Sequence, residues 1–369
     1  MSRSANNYRF LFAGGGTGGH LFPSIAVAQR IRKLLPEAEI MFIGTKSKIE
    51  GTLVPKLGFN FSSIWIKGFS RKLNLENLLF PLKLFVSIIQ SLIINIKFKP
   101  KVAIGSGGYV SGPAIWVSAL TGAKIILLEQ NSYPGITTKL LERYASEIHL
   151  SFEDSKKYFR NKAKLFITGN PVRESLIKIN QKDAINHFGL DPSKKTLLIL
   201  GGSLGAASIN KAVESFIIKS NPLEINIIWQ TGKNYINSFN HLSSKNIFIN
   251  AFIDDMNLAY SACDLLVSRA GATTIAEIIA LGIPAVLVPS PNVAENHQFY
   301  NAKSLSDKNA AVLFEDNQLS DSFSEVILNL LKNNNKLDEI SVNVRSLRSI
   351  NAAEVIANNA IEYCNDVRS

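Results

Sequence analysis

Cysteine is almost missing from this chain: Cys263 and Cys364 are its only two among 369 residues, with no CxxC pair and no metal-ligand spacing. That usage fits a reducing cytoplasm and offers no zinc motif. The opening stretch MSRSANNYRF lacks the apolar core of a signal peptide, which argues against export. Basic runs interleaved with aromatics are absent, so nucleic acid is not an expected partner. The signature GxxxxGK[ST] does not occur, which excludes a P-loop. The second apolar run ends FIGTKSK, without the acid that would hold a dinucleotide's ribose, which weakens an NAD reading. Acid is scarce overall. Asp and Glu number 29 against 40 Lys and Arg, a net charge of +11, which leaves a basic surface or marks an anionic membrane face as partner.

What is present is globular: 46% apolar and 19% charged residues, in a chain long enough for two domains. YRFLFA runs into the glycines of residues 14–19 and then into SIAVAQRIRKLL at helical spacing, which reads as strand, Gly loop, helix. AEIMFIGT, KVAIGSGGYVSGP and AKIILLEQN continue as strands, the second with its own Gly loop. After LFITGNPVR the plan restarts with KTLLILGGSLGAASINKAV, and INIIWQTG, NIFINAF, CDLLVSRAG and IPAVLVPSP follow as strands. Strands alternating with helices predict parallel, doubly wound sheets in two Rossmann-like halves. The expected boundaries are residues 1–168, residues 169–345, and a last helix over 346–369 packing back on the first half.

Backbone N–H groups at a helix start, approached through glycine, suit a diphosphate. Any one such loop is equally a tight turn, but GGGTGG and GGSLGA stand in equivalent places in the two halves. In SRAGATTIAEI, Glu277 follows Thr273 and Thr274 on one helix face. It either closes a capping box or accepts from both hydroxyls of a ribose. Residues 78–96, LLFPLKLFVSIIQSLIINI, have the length of a bilayer span, but Lys83, Ser87, Gln90, Ser91 and Asn95 oppose spanning. A helix lying in the lipid interface and an ordinary packed amphipathic helix remain open, with Arg71, Lys72, Lys97, Lys99 and Lys101 at its flanks.

GGGTGGHLFPSIAVA, GSGGYVSGP, EQN, GNPVR, GGSLGA, FIDDM, SRAGATTIAEI and ENHQFYNA occur in an order that resembles the MurG family of peptidoglycan glycosyltransferases over nearly the whole chain. The resemblance implies the α/β GT-B fold, two Rossmann-like domains with parallel sheets facing across a cleft. It implies inverting transfer of N-acetylglucosamine from UDP-N-acetylglucosamine to the muramyl 4-hydroxyl of lipid I, an undecaprenyl-pyrophosphoryl-linked MurNAc-pentapeptide. Lipid II and UDP would be the products, in a peripheral enzyme on the cytoplasmic face of the plasma membrane, with no cofactor and no catalytic metal. Carried over motif by motif, Thr17, Gly18 and Gly19 line the donor side of the first loop. Asn131, Arg173 and Ser203 contact the nucleotide sugar or its diphosphate, and Ile253 presents its backbone to uracil. Ala272, Thr273, Thr274, Ile275, Ala276 and Glu277 embrace diphosphate and ribose, Gln298 reaches the transferred sugar, and Gly107, Gly108 and Tyr109 face the acceptor.

Three positions depart from the family pattern: Leu204 where Gln is frequent, Leu128 where many members have His, and Thr138 where Asn is common. With Leu128 apolar, His20 is the best-placed general base, its alternative role being to brace the loop; Glu129 is the second candidate, more naturally a structural carboxylate. Arg269 stays ambiguous between diphosphate contact and ion pair, and Asp254 and Asp255 are expected to cap a helix rather than hold metal. Another GT-B transferase with a different acceptor, a nucleotide-sugar epimerase and a membrane adaptor are the competing readings.

Overall fold

The computed structural model describes residues 8–68, 78–202, 204–220, 224–320, 322–348 and 351–365. Two compact units divide the chain, residues 1–173 with 349–369, and residues 174–348. The first division falls after residue 173, and the N–H groups of Thr168 and Gly169 bond the Leu150 carbonyl of the first unit.

The first unit begins β1 (Arg9–Ala13), α1 (Gly18–Leu34), β2 (Glu39–Gly44), α2 (Ile49–Lys56), β3 (Asn60–Ser63) and α3 (Phe80–Phe98). It continues β4 (Val102–Gly105), α4 (Gly108–Leu120), β5 (Lys124–Glu129), α5 (Ile136–Leu141), β6 (Glu147–Leu150) and β7 (Leu165–Ile167). The sheet is parallel in the order β3-β2-β1-β4-β5-β6-β7. Alternation along buried strands sends Phe10, Phe12, Val102 and Ile104 to one face and Leu11, Ala13, Ala103 and Ile125 to the other.

The second unit runs α6 (Gln181–His187), β8 (Thr196–Leu200), α7 (Ala207–Lys219), β9 (Asn226–Gln230), α8 (Ile236–Phe239), β10 (Ile247–Asn250) and α9 (Met256–Ala262). Next come β11 (Leu265–Ser268), α10 (Ala272–Leu281), β12 (Ala285–Leu287), α11 (His297–Ser306), β13 (Val312–Leu313), α12 (Phe323–Lys332) and α13 (Asn334–Ser346). Its parallel sheet has the order β10-β9-β8-β11-β12-β13. In each unit the strand order reverses beside the first strand, between β1 and β4 and between β8 and β11. The crevice outside the carboxyl ends at such a reversal is where doubly wound sheets take ligands. Both Gly loops open onto one.

The last helix, α14 (Ala352–Asn365), belongs to the first unit. Ile356, Ala357, Ala360 and Cys364 join the face built by Phe10 and Phe12, and Glu354 pairs with Arg30 of α1 at 2.5 Å. Burying Ile356 alone stabilises by about 2 kcal/mol. Burial pushes the Cys364 thiol up to about 11 and Cys263 to about 12, so both stay protonated.

Helix α3 is built inside out. Ser87, Ser91 and Asn95, four apart and on one face, are buried. Asn95 accepts from the Ser118 hydroxyl of α4 at 2.8 Å and donates to the Ser91 carbonyl. Leu82, Phe85, Ile89, Leu92, Ile93 and Ile96 face outward, Phe85 with 61% of its surface exposed. The helix is long and apolar enough to cross a membrane by length and composition. Arg71 and Lys72, expected at its flank, lie outside the described residues.

Candidate active site

In the first unit the loop after β1 and the loop after β4 are interlocked. The Ser106 hydroxyl, donating to the His20 carbonyl at 2.6 Å and accepting from Ser24 at 2.8 Å, joins them. Gly108 has φ of 78°, and a Cβ there would stand 2.8 Å from the Gly15 carbonyl, so only glycine lets the start of α4 approach the first loop this closely. Thr17 is the N-cap of α1, whose first turn holds Gly18, Gly19 and His20. Gly107 caps α4, with Gly108 and Tyr109 in its first turn. The Tyr109 ring lies where a side chain at Gly16 would go, and burial raises its phenol above the ordinary value.

His20 Nδ1 lies 2.8 Å from the Ser106 carbonyl and 3.3 Å from Gln130 Oε1. Burial holds the imidazole below its ordinary pKa, opposed in part by those two bonds. Glu129 accepts from the Asn131 and Gly135 N–H groups, each at 3.0 Å, and from Thr138, while burial raises its pKa. It shapes the turn that carries Asn131. Thr138 supplies a bond to Glu129, and Leu128 is a core residue of β5.

In the second unit, Gln230 at the end of β9 ties two loops together. Its Nε2 donates to the Gly202 carbonyl at 3.2 Å, and its Oε1 accepts from the Ile253 N–H at 2.9 Å. The Ile253 N–H is therefore committed. Gly205 has φ of 85°, and a Cβ there would meet the Thr231 carbonyl at 2.1 Å. Ser203 lies outside the described residues.

Gly271 is the N-cap of α10, which places Ala272, Thr273, Thr274, Ile275, Ala276 and Glu277 in its first two turns. No side chain caps this helix, so the capping box considered for Glu277 does not form. Glu277 Oε2 instead accepts from the Tyr260 hydroxyl at 2.6 Å. The Thr273 hydroxyl is buried without a protein partner, the arrangement expected where a ligand completes the bonding. Gln298, on α11, accepts the Ser290 N–H at 2.9 Å through its side-chain oxygen, which leaves its NH2 to donate elsewhere.

Arg269 resolves as a structural clamp. Its guanidinium donates to the carbonyls of Val288 and Pro289, to Asp316 at 2.5 Å and to the Ser208 hydroxyl at 2.8 Å. Asp255 caps α9 by accepting from Asn257 and Leu258, whereas Asp254 does not. Arg173 is the exposed last residue of the first unit's long segment. Among the described residues, no group of three or more His, Cys, Asp or Glu could hold a metal ion.

Residues 10–150 match the glycosyltransferase family 28 N-terminal domain, and residues 196–358 match the C-terminal domain of the same family. The UDP-N-acetylglucosamine–N-acetylmuramyl-(pentapeptide) pyrophosphoryl-undecaprenol N-acetylglucosamine transferase of Flavobacterium psychrophilum is 41% identical over 98% of this chain and 99% of its own. The chain belongs to the MurG family. The enzyme of the same name from Christiangramia forsetii is 38% identical over 97% of this chain and 98% of its own. The crystal structure of Acinetobacter baumannii MurG matches with a TM-score of 0.76 at 27% identity, covering 96% of this chain and 99% of that one. A glycosyltransferase of kitacinnamycin matches at a TM-score of 0.72 and 13% identity over 96% and 99% of the two chains, a likeness of fold alone. The fold is GT-B, and the chain is a glycosyltransferase.

Within this MurG-family chain, four supporting residues have no role assigned from the sequence. Glu50 of α2 is buried and accepts from the Gly16 N–H at 3.1 Å and the Thr45 hydroxyl at 2.6 Å, bracing the first loop. Gln130, Gln230 and Tyr260 hold His20, Ile253 and Glu277 in turn. Gln130 lies within EQN, but nothing in the local sequence ties Glu50, Gln230 or Tyr260 to the groups they hold.

Proposed function

We propose that this chain carries N-acetylglucosamine from UDP-N-acetylglucosamine to the 4-hydroxyl of the muramyl sugar in lipid I, inverting the sugar and releasing lipid II and UDP. One observation carries the reading. A chain alike over its whole length to enzymes named for that transfer keeps, at its first strand reversal, an imidazole with Nδ1 engaged and Nε2 bonded to nothing in the described residues.

In this reading Nε2 takes the proton of the attacking hydroxyl as the new bond to the anomeric carbon forms and the bond to UDP breaks. Negative charge on the departing diphosphate meets the N–H groups of Ala272, Thr273 and Thr274 at the start of α10. Glu277 binds ribose hydroxyls, the Ile253 carbonyl accepts from uracil N3–H, and the Gln298 NH2 donates to the transferred sugar. Thr17, Gly18 and Gly19 serve the donor, with Asn131, Arg173 and Ser203, and Gly107, Gly108 and Tyr109 receive the acceptor's diphosphate.

Purified chain with labelled UDP-N-acetylglucosamine and a lipid I analogue should release UDP only when the acceptor is present. Release without acceptor would favour an epimerase or hydrolase instead.

In this reading the outward apolar face of α3 rests on an anionic membrane surface. Trp65, half exposed beneath Lys83, sits beside that face and suits the headgroup region, and Lys97 and Lys99 stand at its far end. Replacing Leu79 and Phe85 together with Ser should weaken flotation with anionic vesicles by more than it lowers turnover of a short-chain soluble acceptor. Equal losses in both assays would count against an interfacial role.

A further inference from the structure

We propose that Gln130 is a positioning residue for His20: together with the Ser106 carbonyl it keeps the ring proton on Nδ1, so that the lone pair stays at Nε2. The inference deepens the reading of His20 as base and rests on it for its catalytic meaning.

The argument begins with what each neighbour can do. The Ser106 carbonyl, 2.8 Å from Nδ1, can only accept. Gln130 could present either end of its amide, but its Nε2 donates to the Leu128 carbonyl at 3.1 Å. Turning the amide over would set its oxygen against that carbonyl and leave both unpaired in a site where Gln130 is 2% exposed. The amide orientation is thus fixed from behind by β5, and Oε1 is the atom that faces Nδ1, at 3.3 Å. Two acceptors converge on one ring nitrogen, which must then be the donor.

The ring is also confined laterally. Cβ atoms built on Gly107 and Gly108 would lie 3.0 Å from Nδ1 and 3.4 Å from Cδ2, so the imidazole fills the space those glycines leave. The surrounding elements carry Glu50 and Lys56 on α2, Tyr109 on α4, and Lys124 and Glu129 on β5. Burial, Ser106 and Gln130 are what set the charge balance of His20 itself. When Nε2 takes a proton, the same two acceptors remain on the side of the resulting cation.

The test uses the full chain labelled with 15N-histidine, with His20→Gln to assign the His20 signals. Long-range 1H–15N spectra near pH 7.5 should show Nδ1 protonated and Nε2 pyridine-like. In Gln130→Glu, a carboxylate replaces the amide at nearly constant volume. The ring titration and the acidic limb of kcat/KM should then move up together by about 1–2 pH units, with KM for UDP-N-acetylglucosamine unchanged. In Gln130→Met, which keeps the volume but removes the acceptor, kcat should fall about 3- to 10-fold, the worth of one hydrogen bond, while that KM holds. An Nε2-protonated ring in the unsubstituted chain, or a kcat that does not fall in Gln130→Met, would overturn the proposal. Spectra that behave as expected while His20→Ala keeps full turnover would uphold Gln130 as the ring's anchor and overturn His20 as base.

Discussion

Replacing His20 with Ala lowers kcat for the lipid I analogue by about 10²- to 10⁴-fold, the usual worth of a positioned base. UDP affinity measured by calorimetry changes little, because uracil, ribose and the leaving diphosphate are assigned chiefly to Ile253, Glu277 and the start of α10 rather than to His20. Retention of kcat within a few-fold would remove His20 from the chemistry and leave it a brace for the loop. The pH dependence follows from the direction of its pKa. Burial favours the neutral ring, so the folded value lies below the ordinary 6.5. The base form therefore predominates near neutral pH, and activity is lost only as pH falls through that depressed value. An acidic limb of kcat/KM above the ordinary imidazole range would contradict this environment.

Arg269→Ala has the largest expected effect on stability. The substitution takes the guanidinium from a mostly buried Asp316 carboxylate, which keeps only the Ser208 hydroxyl, and removes the donor to the carbonyls of Val288 and Pro289. Removing one member of a buried, hydrogen-bonded pair costs about 3 kcal/mol or more. Amide exchange in β11 and β12 should speed accordingly, since Arg269 follows the first strand and holds the end of the second. Lys at this position should not restore protection, because one ammonium cannot span carbonyls, carboxylate and hydroxyl as a planar fork does. Below the transition, KM for UDP-N-acetylglucosamine should be near that of the unsubstituted chain. A large rise in KM with unchanged exchange would return Arg269 to the diphosphate.

The glycine loops were legible because their signal is local: strand, glycines and helix follow within a dozen residues, and the topology then brings them to the strand reversals. Strands β3, β6, β7 and β13 escape a reading of apolar runs. Each has two to four residues, and NFSS of β3 has no apolar run at all. The roles of Glu277 and Arg269 were open for a different reason. A capping box is what three-residue spacing suggests, but the tertiary bond from Tyr260, 17 residues away, describes Glu277 instead. Arg269 meets Asp316, 47 residues on, and His20 meets Gln130, 110 residues on. Spacing carries no information about partners that only folding brings together.

Helix α14 gives the chain an order of completion. Synthesis proceeds from the amino end, yet the face made by Phe10 and Phe12 is sealed by Ile356, Ala357 and Ala360 from the other. On the ribosome, the second unit is contiguous and can close while the first still waits for its final helix. Until then an aromatic face made early in translation has only part of its cover, and a message truncated before Ala352 would release a polypeptide that lacks the rest.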